Sequence, residues 1–400
     1  MSQPAQLKFL TEDQVRQIAS SHDLPLYVYS KHKLDENARK LTSWQAPYGV
    51  TLRFAMKANP FPEVIAQIYS HGIGIDASSG YEAEVAMQAG VKSADIQITS
   101  QQMPDNLQEL IKQGVKFNAC SLHQLEAYGK IAPGSSVGVR INPGKGTGEG
   151  LNNRLTTAGV AASFGIWHEY IDQVHELAKT YDLTIDMVHT HAGTGGDPDK
   201  WLEVTTRNME IVEKFPTATK TSIGGGFKVG RMPGEKSAQI DVISPPIAKL
   251  LEEFHERTGR KIHLEVEPGS FLVVNIGALL TEVIDIKDTG SEGYNFILIN
   301  AGMTEILRPS LYGAQHPLVV VPKNERPADE VVDYAVSGHC CESGDMLTVA
   351  AGDPERLEPR SLQKAELGDY LIVEDVGAYC AGMRAGSYNS FPLTKEVMVD

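Results

Sequence analysis

Lys57 stands near the end of a short apolar run, in the stretch RFAMKANP at residues 53–60. A charged side chain at the end of a buried strand costs free energy unless something offsets it. One reading is an aliphatic stem that carries the ammonium out to water. The other is an amine held in a pocket, able to form a Schiff base with a carbonyl. The same question recurs at the ends of other apolar runs. GIDASS carries Asp76 and Ser78, SVGVRINP carries Arg140, and IDMVHTHAG ends in His189 and His191. SIGGGF offers three successive glycines, and KIHLEVEPG ends in Glu267, Pro268 and Gly269. Each has an ordinary alternative. The two histidines could be separate hydrogen-bonded rings, and no third ligand at a typical spacing makes them a metal site. The glycines could be a tight turn or a phosphate cradle of bare N–H groups. Glu267 could cap a helix, pair with Arg140, or bond a protonated ring nitrogen. Together they amount to an amine, a flat imidazole, a glycine cradle and a buried carboxylate, which are the groups that pyridoxal 5'-phosphate requires.

Something must bring these run ends together. Eight apolar or β-branched runs, at 50–58, 73–79, 96–100, 116–121, 136–143, 185–193, 222–227 and 261–269, alternate with stretches of helical periodicity. Eight βα units in about 220 residues predict a (β/α)8 TIM-type barrel, whose chemistry sits at the C-terminal strand ends. A doubly wound open sheet is the alternative, but no GxGxxG follows the first run. After residue 270 the texture changes to strands with short turns, which predicts an all-β, Greek-key-like domain. LPLYVYS at 24–30 has the same texture. The expected fold class is therefore α/β plus β. Its domains are a cofactor-binding barrel at 31–270 and a β domain made of 1–30 plus 271–400. The Gly-, Asn- and Thr-rich stretch at 144–167 does not match a P-loop and is expected to be a loop over the site.

Composition excludes other classes. The formal net charge of -15 argues against nucleic acid or an anionic membrane as partner. No run is long and apolar enough for a membrane span. Four cysteines, Cys120, Cys340, Cys341 and Cys380, make neither a disulfide framework nor a CxxC pattern. A cytoplasmic setting is expected.

On these motifs the chain resembles the fold-type III, alanine-racemase-like decarboxylases that use pyridoxal phosphate, and most of all their bacterial diaminopimelate decarboxylase branch. FAMKANP, GIDASSGYEAEVAMQAG, RINPG, FGIW, HTHAGTG, SIGGGF, EVEPG, RPSLYGAQHP, CCESGD and GAYCAGMRAGSYNSFP occur in the family's order across nearly the whole chain. The resemblance implies that Lys57 bonds the cofactor covalently, His191 stacks on its ring and Glu267 binds its pyridine nitrogen. Thr194, Gly225, Gly226 and Gly269 would hold the phosphate with Tyr379, and Asp76 and Arg140 would support the ring. Arg308 and Tyr312 would bind the far end of a small amino-acid substrate. Cys341 and Glu342 would reach a neighbouring subunit's site in a homodimer, with Cys341 the proton donor. The implied reaction is decarboxylation of meso-2,6-diaminopimelate to L-lysine, in lysine biosynthesis. Four positions depart from the pattern: Cys380 and the second cysteine of CCESGD are local changes, and two others bear on the substrate. Ser270 follows EPG where the family usually has arginine, and Phe391 stands in YNSFP where an arginine is common. They leave open a related decarboxylase acting on another amino acid or conjugate, and more remotely an amino-acid racemase.

Overall fold

The computed structural model describes residues 5–144, 158–191, 193–327 and 330–400. Most of the 144–167 stretch, expected as a loop over the site, lies outside the described residues. The chain divides into two units. One comprises Asp35–Val229 and Lys236–Leu272; the other comprises Met1–Leu34, Gly230–Glu235 and Val273–Asp400. The sequence expectation assigned residues 230–235 to the barrel, whereas their contacts cluster with the second, β unit.

The strands are β1 (Leu26–Ser30), β2 (Val50–Ala55), β3 (Gly74–Ala77), β4 (Ile96–Thr99), β5 (Lys116–Ala119), β6 (Ser136–Asn142), β7 (Ile166–Trp167), β8 (Thr184–His189), β9 (Lys220–Ser222) and β10 (His263–Val266). β2–β6 and β8–β10 pair in parallel in the order β5-β4-β3-β2-β10-β9-β8-β6, and a β5–β6 pairing closes the ring. This is the expected eight-stranded barrel, with the short β7 added beside β6. β3 and β4 are buried along their whole length, as strands covered on both faces must be. Serines start the helices that follow β3 and β5. Ser79 Oγ accepts from Glu82 N–H at 3.0 Å while Glu82 reaches back to Ser78 N–H, and Ser121 Oγ accepts from Gln124 N–H at 3.1 Å. Inside the barrel Arg53 on β2 pairs with Glu265 on β10 at 2.9 Å, both almost fully buried.

The seventh expected run is shorter than the sequence suggested. β9 stops at Ser222, and the glycines form a loop because Gly224 and Gly226 take φ of +71° and +100°, outside the strand region.

The β unit holds β11 (Gly277–Asp288), β12 (Asn295–Ile299), β13 (Leu318–Val321), β14 (Val331–Ser337), β15 (Val349–Ala350), β16 (Asp353–Leu357), β17 (Arg360–Gln363), β18 (Tyr370–Glu374) and β19 (Lys395–Val399). Its main sheet runs β13-β18-β11-β12-β14-β17, and β1 pairs with both β11 and β19. Leu26 and Val28 from β1 enter the same core as Ala278, Leu280 and Ile372.

Candidate active site

Strand register in the barrel sets out the polar residues in adjoining rows. Ala55, Asp76 and Gln97 are successive partners across β2, β3 and β4; Arg140, His189 and Ser222 are successive partners across β6, β8 and β9. β2 ends in a single 3-10 turn, Met56–Ala58, that buries Met56 and Ala58 and leaves Lys57 exposed. The turn is short because Asn59 and two prolines follow. Asn59 N–H donates to Met56 O at 3.0 Å, and Pro62 opens the next helix. Ala55 N–H donates to Pro268 O at 3.2 Å, so the EPG segment is docked on the lysine turn.

Glu267 is 3% exposed and well partnered. His189 Nε2–H donates to its Oε2 at 2.8 Å, while Ser222 Oγ at 2.7 Å and Gln97 Nε2 at 3.3 Å donate to Oε1. Burial pushes its pKa up, yet His189, by charge and hydrogen bond, and the Ser222 hydroxyl bring it down to about 2. The carboxylate is therefore ionised. Its alternative partner from sequence, Arg140, lies elsewhere, with its guanidinium 4.9 Å from the Phe164 ring centre. Asp76 behaves oppositely. Burial and then the charge of Glu267 raise its pKa well above the ordinary value, against the pull of Lys57, and its Oδ1 has no partner. The imidazole of His191 is kept neutral by burial, then by Arg140, Lys57 and His189.

The glycine loop is built for close approach. A Cβ on Gly226 would lie 1.9 Å from Gly193 O, and one on Gly225 would lie 2.1 Å from Glu267 O. Gly195 N–H donates to Gly226 O at 2.9 Å, and Phe227 stacks on Trp201 with ring centres 4.1 Å apart. Among the described residues, the N–H groups of Gly225 and Gly226 donate to no protein acceptor. Thr194 lies in the loop strapped to them.

Lys57, Asp76, Arg140, His191, Thr194, Gly225, Gly226, Glu267 and Gly269 thus all belong to the barrel unit, at or just beyond the C-terminal strand ends. Sequence reasoning missed Ser222 and Gln97, and left His189 unassigned. The signal was present in HTH, where alternate residues share a face, but their common acceptor lies on another strand. The donor set fits pyridoxal phosphate: an exposed amine, an ionised buried carboxylate, a neutral imidazole, and free amides at a turn that admits no side chain.

Arg308, Tyr312, Cys341, Glu342 and Tyr379 belong to the β unit. Arg308–Tyr312 is one helical turn, and Ser310 Oγ–H donates to Gly344 O at 2.7 Å. The CCESGD loop is pinned from within. Asp345 accepts from Met303 N–H at 2.6 Å and Cys340 N–H at 2.9 Å, and Cβ atoms on Gly302 or Gly338 would collide with it. Cys341 N–H donates to Asn389 Oδ1 at 2.8 Å. Phe391 stacks on His339 with ring centres 3.7 Å apart and planes within 6°, so this departure from the family pattern supports the loop from behind. Of the two neighbouring thiols Cys341 is exposed and Cys340 partly buried. Burial and Asp345 push Cys340 up to about 12. Among the described residues there is no metal-binding group of histidine, cysteine and carboxylate side chains, and no helix long and apolar enough to cross a membrane.

Residues 34–274 match the model of the pyridoxal-binding domain of pyridoxal-dependent decarboxylases. The chain is 31% identical over 392 residues to the diaminopimelate decarboxylase of Streptomyces coelicolor, covering 96% of this chain and 86% of that one. It is 32% identical to the corresponding enzyme of Buchnera aphidicola subsp. Schizaphis graminum, covering 98% and 92%. A crystal structure of diaminopimelate decarboxylase superposes with a TM-score of 0.90 at 29% identity, over 98% of this chain and 92% of the other.

Proposed function

We propose, since the chain belongs to the pyridoxal-dependent decarboxylase family, that it converts meso-2,6-diaminopimelate to L-lysine and carbon dioxide. The observation that carries this reading is Glu267, a buried carboxylate held ionised by His189 and Ser222 on the barrel that bears Lys57. Pyridoxal phosphate, when bound, supplies an electron-accepting pyridine ring for the electron pair left on Cα as carbon dioxide departs.

The protein's own residues do the rest. Lys57 Nζ is the amine that would hold the cofactor's carbonyl carbon, be displaced by the substrate amine, and take that carbon back when the product amine leaves. Glu267 keeps a proton on the ring nitrogen, which an ionised carboxylate can do and a neutral one cannot. His191 offers a flat, uncharged ring for stacking, so that no cation competes with that proton. Gly225, Gly226 and Thr194 would donate to phosphate oxygens, and the family resemblance assigns Gly269 and Tyr379 to the same group. Arg140 supplies positive charge, and Asp76, whose pKa is raised by burial and then by the charge of Glu267, would support the ring side of the pocket. Arg308 and Tyr312 hold the substrate's far carboxylate, and Glu342 its far ammonium. Cys341 delivers the proton to Cα. Because the exposed Cys341 serves a second copy of the chain in this reading, the working unit is a homodimer.

The alternative, another amino acid or conjugate, is favoured by Ser270, because the chain has lost the arginine expected after EPG. Carbon dioxide release from purified protein and pyridoxal phosphate separates the two, using meso-diaminopimelate, L-lysine, L-ornithine, L-arginine and carboxynorspermidine. Turnover of diaminopimelate is expected. No turnover of it with the cofactor bound overturns the reading.

A further inference from the structure

Arg231 lies in the segment Gly230–Glu235, which joins the β unit. Its backbone N–H donates to Glu235 Oε2 at 2.7 Å and its Nε–H to Asp375 O at 3.2 Å, which sets the plane of the guanidinium. Its Nη2 is sequestered without an acceptor, and so is Nε of Arg308. Among the described residues the side chain of Arg308 makes no hydrogen bond or ion pair. Both cations act on the same buried neighbours. His316, 4% exposed, is held well below its ordinary pKa by burial, then by Arg231 and Arg308. The buried Cys380 thiol is raised by burial to about 11 against the pull of the same two arginines. Burial and repulsion from Arg308 lower Arg231 to about 9, so it remains a cation at neutral pH. The charges of Asp375 and Glu235 offset part of the repulsion on Arg231, yet Arg231 Nη2 and Arg308 Nε each keep a sequestered N–H without an acceptor, a cost that an anion bound by both would remove. Planar guanidinium N–H groups match carboxylate oxygens.

We infer that Arg231 is a specificity-determining residue which, with Arg308, forms a two-guanidinium receptor for the substrate carboxylate remote from the reacting Cα. This inference rests on the diaminopimelate reading, in which the substrate carries such a second carboxylate. It also removes the difficulty of Ser270. The chain lacks the arginine expected after EPG but gains a second cation from a different segment.

The test is calorimetric titration of the cofactor-loaded enzyme with pimelate, a seven-carbon dicarboxylate without amines. Wild type should bind it, and Arg231→Met should weaken binding about 10- to 100-fold with cofactor affinity unchanged. Arg231→Lys keeps the charge but not the planar fork, and should weaken it about tenfold. That variant decides the matter if Arg231→Met does not fold. Absence of binding to wild type, or equal affinity in wild type and variants, overturns the inference. Loss of cofactor affinity with pimelate binding intact also overturns it, because the receptor would then serve phosphate. A purely structural arginine would lower thermal stability without changing pimelate affinity. If wild type releases no carbon dioxide from diaminopimelate yet Arg231→Met still weakens pimelate binding, the receptor stands and the substrate reading falls.

Discussion

Replacing His189 by asparagine removes the Nε2 donor to Glu267 while leaving Ser222 and Gln97 in place. The depression of Glu267 from the usual 4.5 to about 2 is worth roughly 3 kcal/mol in favour of the charged form. Burial acts in the opposite direction, so the partners contribute more than this net figure. His189 supplies the two largest favourable influences, one through charge and one through its 2.8 Å hydrogen bond. Without it, burial prevails and the carboxyl should titrate at or above the ordinary carboxylate range. The assay is carboxyl-selective 13C NMR on the cofactor-free protein, with Glu267→Gln identifying the signal. In wild type the signal should remain that of a carboxylate down to about pH 4; in His189→Asn it should titrate near or above pH 5. Stability follows with a definite sign. A depressed folded-state pKa stabilises above the unfolded value, and that contribution is lost as pH falls from 4.5 towards about 2. The variant should lack that contribution altogether, and its decarboxylation should fall at neutral pH. An unchanged Glu267 titration in the variant refutes the assignment of His189 as the group that keeps this carboxylate charged.

Arg53→Met should cost about 3–5 kcal/mol in denaturant unfolding, because it strands Glu265 in the barrel interior. Adding Glu265→Leu should recover most of that loss, and strict additivity of the two changes would argue against the pairing. Gly226→Ala should cost about 1–3 kcal/mol and sharply weaken cofactor binding, measured by absorbance titration, since φ is +100° and the new Cβ meets Gly193 O. Burial, opposed by Lys8 N–H and aided by the charge of Asp375, raises Glu374 to about 7. Its contribution to stability is therefore full below the ordinary 4.5 and is lost as pH rises through about 7. Glu374→Gln should flatten that limb of the stability–pH curve.

The barrel was legible because its strands are short, largely buried apolar runs, several of them followed by a serine- or proline-marked helix start. Lys57 and Glu267 stood out because charge at the end of such a run is costly. The partners of Glu267 did not, because they depend on register across strands far apart in sequence. Ser222 lies between a buried threonine and a glycine turn, where a serine attracts no notice. The glycine run was assigned to a strand because its neighbours are apolar, and only the positive φ values show the chain leaving the sheet. Arg231 was hidden for a topological reason. Six residues inside the barrel's span fold with the other unit, and no local pattern in GRMPGE announces the excursion.

For the homodimer proposed above, the tethering of the CCESGD loop has a consequence for how two copies would meet. A free loop bearing Cys341 would surrender rotamer and backbone freedom on encounter, about 0.5–1.5 kcal/mol for each side chain immobilised. Here Asp345, Asn389 and the His339–Phe391 stack have already fixed its frame when the β unit folds. Association then carries little ordering entropy, and its temperature dependence should be dominated by solvent release. Loosening the stack, as in Phe391→Ala, should act as a remote brake on association, slowing assembly while each separate copy keeps its own fold.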